Sequence, residues 1–210
     1  MKLYNAPMSP NAIRVRALID ELGLDVEIVD KDMRSGEMKE PGFLALNPNG
    51  KVPVLELDDG STIWESRAIM AYLAAVEGSP LYPADPRARA EVDQWQYWHA
   101  VHFAPTAQAV FFERRLKPKF GMGEPDESKI EKQVADTEHL LDVLEEGLTG
   151  KDYVAGELSL ADLSLACTIA TLAPAGILLA GHPALEAWHL RLMERASVQK
   201  EIAPVLELFA

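Results

Sequence analysis

Cysteine is nearly absent from this chain of 210 residues, with Cys167 standing alone. A single thiol excludes an internal disulfide framework, a cysteine-rich zinc cluster and a CxxC redox pair. No apolar run approaches the ~20 residues that a membrane-spanning helix needs. The start, MKLYNAPMSP, lacks the apolar stretch of a secretory signal, so a cytoplasmic location is expected. Cations are in deficit. Lys and Arg number 20 against 33 Asp and Glu, a net charge of −13, which argues against binding nucleic acid or an anionic membrane surface. An anionic small ligand is compatible with this balance only where local cations override the global field. What the chain has is apolar material, 48% of it, enough to bury a sizeable core. Internal repeats and low-complexity tracts are absent.

Composition changes around VEGSPLYPADP (76–86), where three prolines prevent any helix or strand from running through. Two domains are expected, 1–78 and 87–210, with 79–86 as linker. In the first, KLYN (2–5) is a short strand, and Pro10 to Leu22 is an amphipathic helix ended by Gly23. VEIVD (26–30) alternates like a strand, and PGFLAL (41–46) is a short helix closed by Asn47-Pro48. KVPVLEL (51–57) and STIWE (61–65) are strands joined through Asp58-Asp59-Gly60, a hairpin signal. Residues 65–78 form a helix with Ile69, Tyr72, Leu73 and Val76 inward. The order βαβαββα predicts an α/β domain of thioredoxin-like arrangement. The second domain reads as an all-α bundle. One helix or two cover 87–117, interrupted at Pro105; others cover 126–147, 160 to about 173, 183–195 and 197–202. Ser159-Leu-Ala-Asp162 forms an aspartate variant of a capping box.

Ser9 and Pro10 open the first helix, and a favoured N-cap followed by a favoured first residue accounts for them structurally. The same geometry serves chemistry. A helix N-terminus attracts an anion, a hydroxyl there donates to a thiolate, and Asn11 adds an amide donor. Lowering a thiol pKa from about 8.5 by two units requires about 2.7 kcal/mol. A hydrogen bond to a charged group supplies roughly 1.5–3 and a helix end roughly 0.3–1, up to about 2 when partly buried. Val52-Pro53 interrupts a good strand. It fits an edge strand or a cis bond that turns the Val52 N–H and C=O toward a ligand. Glu65 and Ser66 start a helix, and together they suit a zwitterion, with Glu65 for an ammonium and Ser66 with the helix N–H groups for a carboxylate. Lys39 and Lys51 are plain surface lysines or partners of a second carboxylate. His99 and His102, three apart, lack a third ligand for a metal. Trp95, Trp98, Phe103, Phe111, Phe112 and Arg115 have the spacing of core or interface, and Cys167 that of a buried inert thiol.

SPNAIRVR (9–16), FLALNPNGKVPVLELDDG (43–60), ESRAIMAYLA (65–74) and YVAGELSLADLSLA (153–166) follow one another in an order that resembles the cytosolic glutathione transferases along nearly the whole chain. RRLKPKFGMGEPDE (114–127) is most similar to phi-class and related bacterial members, which use serine at the thiol. The resemblance implies an enzyme that uses glutathione as co-substrate, without a metal, to attack small hydrophobic electrophiles in detoxification. Peroxidase, disulfide reductase or isomerase activity, or a non-catalytic binding role on the same fold, are the alternatives. By position, Ser9 would activate the thiol with Asn11 in support. Lys39 and Lys51 would hold the glycine carboxylate, Val52 and a cis Pro53 the cysteinyl backbone, and Glu65 and Ser66 the γ-glutamyl end. Phe103, Phe111 and Arg115 would border the electrophile pocket. A homodimer is implied, with Arg67 on one surface and Glu91, Asp93, Trp95 and Trp98 on the other. Lys39 and Lys51 depart from the His and Gln common at those positions. Ser9 in place of Cys argues against chemistry through a mixed disulfide.

Overall fold

The computed structural model describes residues 1–209. They divide into two compact units, Met1–Pro83 and Ala84–Ala210.

The N-terminal unit runs β1 (Lys2–Asn5), α1 (Pro10–Leu22), β2 (Glu27–Asp30), a 3₁₀ turn (Glu37–Lys39), α2 (Pro41–Leu46), β3 (Val54–Glu56), β4 (Thr62–Trp64) and α3 (Ser66–Val76). The sheet order is β2-β1-β3-β4. β1 runs parallel to β2, with Leu3 opposite Ile28, and antiparallel to β3, with Leu3 opposite Leu55. The parallel pair requires a crossover, which α1 provides. The antiparallel pair β3–β4 closes through a tight turn in which Gly60 takes φ +83°. Leu3 and Leu55 are fully buried, as are Val15 and Leu18 of α1 and Ile69 of α3. α1 packs beside α3, which brings the two helix starts close together.

Two expectations for this unit need correction. Val76 does not face inward: it is 62% exposed, and the inward set of α3 is Ile69, Met70, Leu73 and Ala74, with Tyr72 half-buried. Val76 is the last residue of its helix, beyond the sheet contacts that bury the earlier turns. The strand at 51–57 is also shorter, because the ladder begins only after Pro53, which has no N–H to donate.

The C-terminal unit is helical: α4 (Pro86–Trp98), α5 (Ala104–Phe111), α6 (Lys117–Lys119), α7 (Glu127–Leu148), α8 (Leu160–Ile169), α9 (Pro183–Met193) and α10 (Ala196–Leu208). The helical path from 86 to 119 is not broken at Pro105. Wide π-type turns at His99–Phe103 and Phe112–Leu116 join α4, α5 and α6. Each lies just upstream of a proline, Pro105 or Pro118, and contains the residue four positions before it, Val101 or Arg114. An ordinary α-turn would press the proline ring on that residue's carbonyl, and the wider turn relieves the clash. α8 ends at Ile169, short of Pro174, and the chain continues in turns. α10 runs past Pro204 to Leu208. Pro204 faces solvent while Val205 and Phe209 are buried, so packing of the inner face carries the helix through the lost bond.

The capping box is complete. Ser159 N–H and Oγ–H donate to Asp162 at 2.9 and 2.8 Å, and Val154 N–H and Trp188 Nε1–H donate to its other oxygen at 3.1 and 2.8 Å. Cys167 is buried. Trp95 lies against Gly147, where a Cβ would come within 2.4 Å of its ring, and meets Trp98 edge-on at 5.2 Å. Both tryptophans are half-buried.

A candidate ligand cleft in the N-terminal unit

Three short segments of the N-terminal unit converge. The first is the turn from β1 into α1. Ser9 N–H donates to the Ala6 carbonyl at 3.0 Å, and the Ser9 carbonyl receives Ala12 and Ile13 N–H at 2.9 Å each. Arg16 clamps the turn through the Asn5 amide oxygen and, at 3.0 Å, the Pro7 carbonyl. Ser9 is buried, yet its side chain accepts nothing from the helix it begins.

The second is the loop from α2 to β3. The Asn47 amide donates to the Lys51 carbonyl at 2.7 Å, and its oxygen accepts Asn49 N–H at 3.0 Å. Gly50 takes φ +59°, and a Cβ there would fall 2.6 Å from the Met38 carbonyl, so glycine is required twice over. Val52–Pro53 is cis. Lys39 directs its ammonium to the Asn49 and Gly50 carbonyls at 3.2 and 3.4 Å.

The third is the start of α3. Glu65 has φ +72° and ψ 113°, a sparsely populated conformation for a non-glycine residue that costs about 1–3 kcal/mol. Its carbonyl still accepts Ile69 N–H at 3.0 Å, and its side chain does not cap the helix. Ser66 behind it is buried.

Together these segments enclose a cleft of about 120 Å³. α1 contributes Asn11, the α2–β3 loop Asn47, Asn49, Lys51, Val52 and Pro53, and the start of α3 Glu65 and Ser66. The structure thus gathers Asn11, Lys51, Val52, Pro53, Glu65 and Ser66 from distant parts of the sequence. Ser9 stands at the cap beside Asn11 but is not among the lining residues, and Lys39 braces the loop from behind.

Arg14 emerges only from the structure. It is fully buried and donates from Nη1 to Asn11 Oδ1 at 2.7 Å and to Ser66 Oγ at 3.2 Å. Its signal in the sequence was an arginine on the apolar face of α1, four residues before Leu18. Asn47 was visible only as part of a helix-stopping Asn-Pro-Asn-Gly. Arg67 is half-buried. Burial first, then the charge of Arg14, pull its guanidinium down to about 9, against the opposing pull of Glu65; it remains charged at neutral pH. Arg14, Arg67, Lys51 and two helix starts therefore set a positive potential in an otherwise acidic protein. The cleft suits an anionic or zwitterionic peptide-like ligand.

Both glutathione S-transferase domain models match the chain, the N-terminal one over residues 1–75 and the C-terminal one over 102–196. Glutathione S-transferase 3 of Zea mays is 38% identical over 212 residues, spanning 98% of this chain and 94% of that protein. The chain belongs to the glutathione S-transferase family. Among solved glutathione S-transferases, transferase F7 of Populus trichocarpa superposes with a TM-score of 0.88 at 32% identity, covering 100% of this chain and 99% of that one. A glutathione S-transferase-I bound with lactoylglutathione gives a TM-score of 0.88 at 35% identity, with coverage of 96% and 98%.

In the C-terminal unit of this glutathione S-transferase, Phe103 is fully enclosed, stacked on Trp98 at 5.5 Å. Phe111 meets Phe209 edge-on at 4.9 Å, and Arg115 donates to the Phe209 carbonyl beneath the same ring contact. Within the unit, all three serve packing. His99 is also buried, its Nε2 2.8 Å from Thr168 Oγ1. Among the described residues no group of three or more His, Cys, Asp or Glu is placed to hold a metal, and no helix is long and apolar enough to cross a membrane.

Proposed function

We propose that this protein is a glutathione transferase in which the N-terminal cleft seats glutathione and the start of α1 activates its thiol. The observation that carries the proposal is the pair of helix starts whose N-cap side chains, Ser9 and Glu65, make no capping hydrogen bond, beside a cleft backed by buried arginine. Ser9 donates its hydroxyl to the thiolate, with the Asn11 amide as second donor. Lys51 attracts the glycine carboxylate, and Lys39 acts by holding the loop that carries it. Val52 offers its backbone to the cysteinyl residue. Glu65 takes the ammonium of the γ-glutamyl end, and Ser66 takes its carboxylate. The thiolate then attacks a small hydrophobic electrophile, for which Phe111 and Arg115 of the C-terminal unit remain candidate contacts; Phe103, enclosed in its own unit, does not. The working form is a cytoplasmic homodimer of the phi type serving detoxification, with no metal and no nucleic-acid partner.

The test is a panel assay with glutathione and chlorodinitrobenzene, cumene hydroperoxide, hydroxyethyl disulfide or maleylacetoacetate, paired with the thiolate absorbance of bound glutathione at neutral pH. Conjugation of chlorodinitrobenzene with thiolate present is the expected result. Activity confined to the disulfide or the peroxide would move the protein to reductase chemistry. Inactivity on all four with no thiolate would make it a binding protein on this fold. Sedimentation at micromolar concentration should give about twice the 23.1 kDa chain mass.

A further inference from the structure

Arg14 is fully buried, and its Nη1 donates to two side chains, Asn11 and Ser66, on two different helices that both line the cleft. A guanidinium has donors only. The atom of the Asn11 amide that faces Arg14 is therefore its oxygen, which leaves the NH₂ group to donate elsewhere. Ser66 likewise accepts from Arg14 through Oγ, so its one proton is free to donate. Without the guanidinium, either group could turn an acceptor toward the ligand. We propose that Arg14 is the positioning residue of the cleft: it holds the Asn11 amide and the Ser66 hydroxyl as paired donors for the anionic groups of glutathione. The arginine touches no ligand. It acts by polarity, and its buried charge strengthens both donors at once. The short, charge-assisted contact to Asn11 lies within α1, and the contact to Ser66 joins α1 to the start of α3, so the two donors keep a fixed spacing.

The inference rests on glutathione as the ligand, and the test separates the two. Binding of glutathione and of S-methylglutathione, which has no thiol, is measured on the unmutated protein and on Asn11→Asp, Ser66→Ala, Arg14→Met and the Asn11→Ala/Arg14→Met double variant. Asn11→Asp keeps a partner for Arg14 but replaces the donor with a carboxylate. It should melt at or above the temperature of the unmutated protein while binding glutathione at least tenfold more weakly. Weakening of both ligands assigns the Asn11 donor to a carboxylate. Weakening of glutathione alone, with a raised pKa of its bound thiol, assigns it to the thiolate. Arg14→Met should weaken binding about tenfold to a hundredfold, and less in the Asn11→Ala background, where the part of its effect that passes through Asn11 is already lost and only the part through Ser66 remains. Full additivity there, or unaltered binding in Asn11→Asp, overturns the proposal. If Arg14→Met does not fold, Asn11→Asp still decides. An unmutated protein that binds neither ligand would instead defeat the glutathione reading.

Discussion

In the C-terminal unit most helices begin with an acceptor already in place. Asp85 receives Arg87 and Ala88 N–H at the start of α4, Asp126 receives Lys129 N–H at α7, and Ser159 with Asp162 closes α8. At α9, Glu145 reaches across from α7 to take Ala184 and Leu185 N–H. α5 and α6 continue from π-type turns without a side-chain cap, and α10, begun by Arg195, also has none. In the N-terminal unit Ser9, Glu40 and Glu65 begin α1, α2 and α3, and none of their side chains caps its helix. Uncapped N–H groups are normally a cost. Where two such starts flank a polar cleft, the arrangement suits an anion. One unit spends its polar side chains on stability; under the function proposed above, the other leaves them for a ligand.

The contrast breaks most visibly at Asp162, which four donors share in a buried setting. Asp162→Ala should destabilise the protein by about 3–5 kcal/mol, since several buried donors lose their partner together; thermal unfolding measures this. The two serines give a sharper, crossed comparison. Ser9→Ala should lower conjugation by about ten- to a hundredfold and leave the melting temperature nearly unchanged, because that hydroxyl caps nothing. Ser159→Ala should cost about 0.5–2 kcal/mol of stability with kcat/KM little altered. If both serines moved the same observable, the division between the units would be wrong.

Acid titration distinguishes two of the caps by sign. Burial holds the Asp162 carboxyl above its ordinary value of 3.8, against its hydrogen bonds from Trp188, Val154 and Ser159. Its contribution is full below that ordinary value and is lost as pH rises through the folded-state value. Asp126 is held low by Ser128 and Lys129, so its contribution is present above the ordinary value and lost as pH falls through the folded one. Denaturant unfolding from pH 7 downward should show the advantage of the unmutated protein over Asp126→Asn shrinking and that over Asp162→Asn growing. The smallest effect belongs to Lys51, which is exposed at the cleft. Salt should weaken glutathione binding, as screening acts over about 8–10 Å, and Lys51→Ala should flatten that dependence. Unchanged salt sensitivity would place the glycine carboxylate elsewhere.

Signals confined to a few neighbouring residues were legible in advance. Pro10 to Gly23 bounded α1, Asp58-Asp59-Gly60 marked the β3–β4 turn, and Ser159 with Asp162 marked the start of α8. Features that depend on remote parts of the chain were not. Val76 has the spacing of an inward residue but lies past the surface that buries its helix. Pro204 looks like a helix stop, and only the burial of Val205 and Phe209 shows why α10 continues. Asn11, Ser66 and Lys51 were readable as polar residues in suggestive places. Arg14, which joins two of them, could be recognised only once α1 and α3 were seen side by side, because an arginine among apolar neighbours has no meaning until its acceptors are known.

The two wide turns at 99–103 and 112–116 have a consequence for helical phase. An α-helix advances about 100° per residue, and a π-type turn accommodates roughly one residue more than an ordinary turn. Each therefore rotates everything downstream by about 100° relative to an uninterrupted helix. In the sequence the buried residues Val92, Gln96, His99, Phe103, Ala107 and Val110 still follow at steps of three and four, one continuous stripe, so the rotation is expressed in space: α4 packs that stripe on α8, and α5 turns it chiefly toward α7. Removing Ala100 would take out the extra residue and return the Val101 carbonyl to the path of the Pro105 ring. Pro105 thus acts as a key that holds the helix in its rotated setting.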